Sequence, residues 1–95
     1  MSPQDVSQLM QAVQRQSFDD YKLPILRDAL RESAIESEDL RQLLSTLTFD
    51  RNRVELAKYA YPRVADPQRF YQVYEAFDFQ GSVQELQRYV EGYNR

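Results

Sequence analysis

A short string, Ser17-Phe18-Asp19, returns as Thr48-Phe49-Asp50 and again, more loosely, as Asp78-Phe79-Gln80. The three phenylalanines are 31 and 30 residues apart, and each follows an apolar residue (Leu9, Leu40, Phe70) by nine positions. A period that agrees with an internal spacing marks a structural repeat, and a repeat of this length is one supersecondary unit that buries its apolar face only against its neighbours. A chain of 95 residues holds three such units and one core.

The apolar positions inside the units have helical spacing. Val6, Leu9, Met10 and Val13 make one stripe, Leu40, Leu43, Leu44 and Leu47 a second, and Phe70, Val73, Tyr74 and Phe77 a third, each at i, i+3, i+4, i+7. The pattern predicts six helices near 3–16, 21–33, 37–47, 51–60, 67–76 and 83–92. Paired, they give hairpins over about 3–33, 36–62 and 66–92, so that residues 1–95 form one all-α domain of three αα-hairpins, a compact bundle or short solenoid.

The expected helix boundaries follow from local chemistry. Ser2-Pro3 and Asp66-Pro67 pair an N-cap with a proline at the first helical position, Pro62 stops the fourth helix near Ala60, and Pro24 is expected to delay the second until about Leu23. At the corners, Asp19 and Asp50 are expected to cap their own helices while Phe18 packs on Leu23 and Phe49 on Val54. The third corner is read as a capping box of Ser82 and Glu85, with Gly81 loosening the link before it. On this reading the rings of Phe18, Phe49 and Phe79 are mostly buried. Phe49→Ala then costs about 3–5 kcal/mol, more than the ~0.5–2 kcal/mol expected for the loss of an Asp50 cap.

Composition excludes several kinds of chemistry. With 12 Lys and Arg against 15 Asp and Glu and no basic run, a nucleic-acid partner is not expected. The chain has no cysteine and no histidine, which removes disulfides, thiolate nucleophiles, the commonest zinc ligands and the usual general base. A calcium loop starting at Asp50 would place Val54 and Glu55 at its fifth and sixth positions, where an oxygen donor and a glycine belong. Glu36, Glu38 and Asp39 suit the positive end of the third helix, and Gly81 and Gly92 are too isolated for a phosphate-binding loop. No catalytic residue, cofactor or metal is therefore expected. Nor does the sequence contain an apolar run of membrane-spanning length, and Met1-Ser2-Pro3-Gln4-Asp5 lacks the pattern of a signal peptide, so a soluble chain without membrane insertion is expected.

Tyrosine is the one compositional oddity. Tyr59, Tyr61, Tyr71, Tyr74, Tyr89 and Tyr93 crowd the second half, interleaved with Arg63, Arg69 and Arg88. Two readings stand. The rings pack with their hydroxyls in water, or Tyr59, Tyr61, Tyr71, Tyr89 and Tyr93 with the three arginines form a face for an unidentified protein or peptide.

The run from Tyr61 to Phe77, YPRVADPQRFYQVYEAF, together with the two Ser/Thr-Phe-Asp corners before it, resembles a family of small helical domains of unknown function over nearly the whole chain. The resemblance implies an accessory or interaction module within a longer polypeptide, and it supplies no catalytic residues. The expected role is a non-catalytic protein-interaction or scaffolding module, with a purely structural spacer as the alternative. An enzyme would require a concave pocket with pKa-shifted carboxylates.

Overall fold

The apolar stripes close on one another. In the computed structural model, which describes residues 1–95, the chain forms α1 (Pro3–Gln14), α2 (Asp19–Leu30), α3 (Ser37–Leu44), α4 (Asp50–Ala60) and α5 (Gln80–Tyr93). A 3₁₀ turn, Tyr61–Arg63, and a 3₁₀ helix, Pro67–Ala76, lie between α4 and α5. Val13, Leu26, Leu30, Leu40, Leu43 and Leu44 are completely buried in one core that also takes in Leu56 from α4 and Leu86 from α5. α3 packs against α1 and the 3₁₀ helix, α4 packs against α2 and α5, and the pairs α1–α2 and α3–α4 join the two layers. The fold is all-α, as the periodicity requires.

Several boundaries differ from the sequence reading. α2 begins at Asp19 rather than near Leu23 and keeps Pro24 inside it. The carbonyl that Pro24 leaves without its helical donor belongs to Asp20, which is exposed and can be solvated. α3 stops at Leu44, because the hydroxyls of Ser45 and Thr46 donate to the Gln42 and Leu43 carbonyls at 2.6 and 2.7 Å and compete with further helical bonds. Gly81 lies in the first turn of α5 and not in a link.

The stripe from Phe70 is the largest departure, since Pro67–Ala76 is a 3₁₀ helix rather than an α-helix. Phe70 and Val73 are buried, with Ala76 packed against the core, a period of three that the tighter helix lines up on one face. Ten residues at a rise of about 2.0 Å span about 20 Å, as much as about 13 residues of α-helix, and the segment lies in the unit that is one residue shorter than its neighbour.

Ser2 caps α1 as expected, with its hydroxyl accepting from Asp5 N–H at 3.1 Å and the Asp5 carboxylate accepting from Ser2 N–H at 3.2 Å. Asp66 behaves otherwise. It precedes Pro67, yet its carboxylate leaves its own helix and accepts from the Ser37 N–H at 2.7 Å and the Ser37 hydroxyl at 2.9 Å, holding the start of α3. Glu36, the N-cap of α3, makes no side-chain cap of its own. Beside this contact Ile35 and Val64 form a short parallel bridge, in which Ile35 N–H donates to Arg63 O at 3.0 Å and Ala65 N–H to Ile35 O at 2.9 Å. Burial opposes ionisation of Asp66, but the hydrogen bonds from Ser37 outweigh it and its pKa lies below the ordinary value.

Candidate functional site

The three corners share one backbone geometry. Phe18, Phe49 and Phe79 are the N-caps of α2, α4 and α5, all in extended conformation, and each carbonyl accepts from the amides three and four residues on. Asp19 and Asp50 therefore stand at the first helical position and are not N-caps. Their carboxylates reach the next corner along the chain. Asp19 accepts from Thr48 N–H at 2.9 Å, Phe49 N–H at 3.1 Å and the Asn52 side-chain amide at 2.8 Å. Asp50 accepts from Asp78 N–H at 3.0 Å, Phe79 N–H at 2.9 Å and the Ser82 hydroxyl at 2.8 Å. Ser82 is thus a donor to Asp50, within the first turn of α5, and not the cap of a box with Glu85, which pairs instead with Lys58.

A cation accompanies each carboxylate. Lys22 Nζ donates to Thr46 O at 2.6 Å, and Arg53 Nη1 donates to Ala76 O at 3.0 Å, so both reach the residue three positions before the next phenylalanine. Arg53 also holds Leu47 O and pairs with Asp50 and Asp78. Burial disfavours the charge on Asp19 and Asp50, but the donors around each outweigh that cost and hold both pKa values below the ordinary 3.8. At the third corner Gln80 and Val83 occupy the equivalent positions, and the device ends there.

Holding the corner by its backbone leaves the ring outside. Phe18, Phe49 and Phe79 are 65%, 56% and 68% exposed, contrary to the buried rings and staples expected from the sequence. At Phe49 and Phe79 the expectation failed because the corner is secured by the carboxylate of Asp19 or Asp50, so the ring need not fold back on its own helix; Phe18 is equally exposed at a corner that no carboxylate holds. Phenylalanine offers a helix start no acceptor, and polar residues serve there far better. Tyr21, also exposed, lies with its ring centroid 6.2 Å from that of Phe18, and the Arg51 guanidinium lies 5.8 Å from the Phe49 ring centroid. Phe18, Asp19, Asp20, Tyr21, Phe49, Arg51 and Asn52 line an open cleft of about 370 Å³ between the first and second corners.

Of the tyrosines and arginines singled out in the second half, Tyr61, Tyr89 and Tyr93 lie together and Tyr59 lies with Arg63. Tyr61 is buried, its ring edge-on to Phe70 at 4.9 Å and to Tyr93 at 5.4 Å, with its hydroxyl bonded to Asn94. Tyr59 is half-buried between helices, with the Arg63 guanidinium 4.7 Å from its ring centroid, and Arg63 donates to the Arg31 and Tyr59 carbonyls. Tyr89 is half-buried beside Tyr93 and under Lys58. Tyr71, Arg69, Arg88 and Tyr93 are exposed. Tyr74 is half-buried, and its burial raises its pKa.

Exposed phenylalanines at the corners are not expected from the sequence, because an apolar residue at a corner reads as a staple. A usable signal was present in the companions of each corner. Asn52 and Ser82 recur three residues after the second and third phenylalanines, and Lys22 and Arg53 four residues after the first and second.

Residues 1–90 match the model of the family described as Domain of unknown function (DUF4476). The chain belongs to this family. No curated protein and no solved structure matches it. No helix is long and apolar enough to cross a membrane.

Two predictions follow from the corner geometry. In urea unfolding, Phe49→Ala should change stability by no more than about 0.5 kcal/mol, as for an exposed side chain, while Asp50→Ala should cost about 2–4 kcal/mol by orphaning several donors at once. The two residues thus exchange the ranking that a purely local reading assigns them. Because Asp19 and Asp50 ionise more readily in the folded chain, the unfolded chain binds protons first as pH falls. Their contribution is complete above about pH 4 and is lost as pH drops through the folded values. Stability measured from about pH 5 to 2 should fall less steeply in the Asp19→Asn, Asp50→Asn chain than in the wild type; parallel curves would assign the acid sensitivity to other groups.

Proposed function

We propose that this domain is a non-catalytic protein-interaction module of three related helical hairpins, which meets its partner through the aromatic edge at its corners: Phe18, Tyr21, Phe49 and Phe79. The observation that carries the reading is the repeated placement of phenylalanine at an N-cap, more than half exposed each time, with the second and third of these corners pinned by a carboxylate from an earlier corner. A side chain that contributes nothing to capping and little to the core, placed three times in the same way, departs from local rules as contact residues do. Exposed aromatic rings on a fixed backbone suit recognition, since they present large apolar area with few torsions to freeze. The Arg51 guanidinium beside Phe49 adds the other residue type enriched in contact hot spots.

The test replaces two of the three rings and follows partner contact directly from the third. With benzoylphenylalanine at position 49, the Phe18→Ser, Phe79→Ser chain should melt close to the parent chain yet lose those proteins that photo-crosslink from position 49. Tyr71→Ser, on a different exposed part of the surface, should retain them. If crosslinks from position 49 are no more specific than those from position 71, or survive loss of the other rings, the edge is not a contact surface and the spacer reading takes its place.

A further inference from the structure

The second and third corners each hold a carboxylate on the N–H groups of the phenylalanine and of the residue before it, at 2.9–3.1 Å. The first corner has the same backbone conformation, with Phe18 at φ −124°, ψ 145° against −109°, 136° at Phe49 and −121°, 137° at Phe79. Its two N–H groups, on Ser17 and Phe18, donate to no acceptor within the chain. The carbonyl three positions before Phe18, on Arg15, accepts from no side chain, whereas its counterparts on Thr46 and Ala76 are held by Lys22 and Arg53. Both internal segments that engage a corner have the form Asp-x-x-Lys/Arg, Asp19 with Lys22 and Asp50 with Arg53.

We infer that the first corner is a receptor for an acidic segment of a partner protein, an Asp-x-x-Lys/Arg sequence at a helix start. Its carboxylate accepts from the Ser17 and Phe18 N–H groups and its cation meets the Arg15 carbonyl. The inference deepens the reading of the aromatic edge as a contact surface and rests on it. What points to this ligand is that the same backbone positions engage this same pair of groups twice elsewhere in the chain. Where Asn52 and Ser82 give the carboxylate a third donor, the first corner has Tyr21, whose exposed ring beside Phe18 offers apolar contact to the residues flanking the incoming acid. A second copy of this chain is a poor donor, because Asp19 and Asp50 are already engaged and the third corner carries Gln80 and Val83 in place of the acid and the cation.

The experiment titrates the ¹⁵N-labelled whole chain with a synthetic peptide of residues 49–60, which carries the chain's own Asp50-x-x-Arg53 pair. The amide signals of Ser17 and Phe18 should move downfield and saturate, while those of Thr48, Phe49, Asp78 and Phe79, already engaged, stay in place. The peptide bearing Asp50→Asn should need at least about tenfold more to reach the same shift, the cost of losing a charge-assisted acceptor. If the Ser17 and Phe18 amides stay still at millimolar peptide, respond equally to the Asn peptide, or respond equally to sodium acetate, the receptor does not exist. Movement of the Phe18 and Tyr21 ring signals without the two amides would overturn the receptor and leave the aromatic edge standing.

Discussion

A carboxylate removed from water keeps its charge only where donors surround it, and in this domain that requirement ties the start of one helix to the corner that follows it in the chain. The buried polar residues are Asp19, Asp50, Asp66 and Ser37, and all four serve contacts between units. At the corners the earlier unit supplies the acid and the later unit the donors. At the opposite end of the helices the direction reverses, since Asp66 of the later unit holds the start of α3. The leucine core is non-directional and would tolerate sliding of one pair along another. The aspartates fix the register, because only one alignment gives each carboxylate its two amides.

The same arrangement sets where the aromatic rings lie. A corner secured by a carboxylate from the neighbouring unit does not need its aromatic ring for anchoring, and the ring is left on the surface with its backbone immobilised. Rigid presentation of this kind lowers the entropy a partner contact must offset. It also separates two kinds of substitution. Changes at the aspartates act on the alignment of the helices, whereas changes at the phenylalanines alter exposed surface and leave that alignment in place.

The helices themselves were legible in the sequence, because leucines at i, i+3, i+4, i+7 have one solution and Ser2-Pro3 and Pro62 mark boundaries by simple sterics. The equivalence of the three corners was legible from Phe18, Phe49 and Phe79 alone. What those residues do was not. An aspartate after a corner reads as a local cap, yet its partners lie 28–33 positions away, and sequence spacing carries no sign of which corner a side chain will reach. Tyr61 was misplaced for a related reason, since a tyrosine with its hydroxyl bonded to Asn94 fills a core as well as it decorates a surface. The 3₁₀ helix was hidden because Phe70 and Val73 fit both a period of three and a period near 3.6.

The claim that aspartates of one unit hold the corner of the next is open to a single measurement, native-state amide hydrogen exchange compared across the three corners. Protection at Phe49 and Phe79 should approach that of the leucine core despite the exposure of both residues, because each amide is held by a buried carboxylate. The Phe18 amide, in the same conformation without such an acceptor, should exchange close to the unprotected rate. Equal exchange at all three corners would contradict the account.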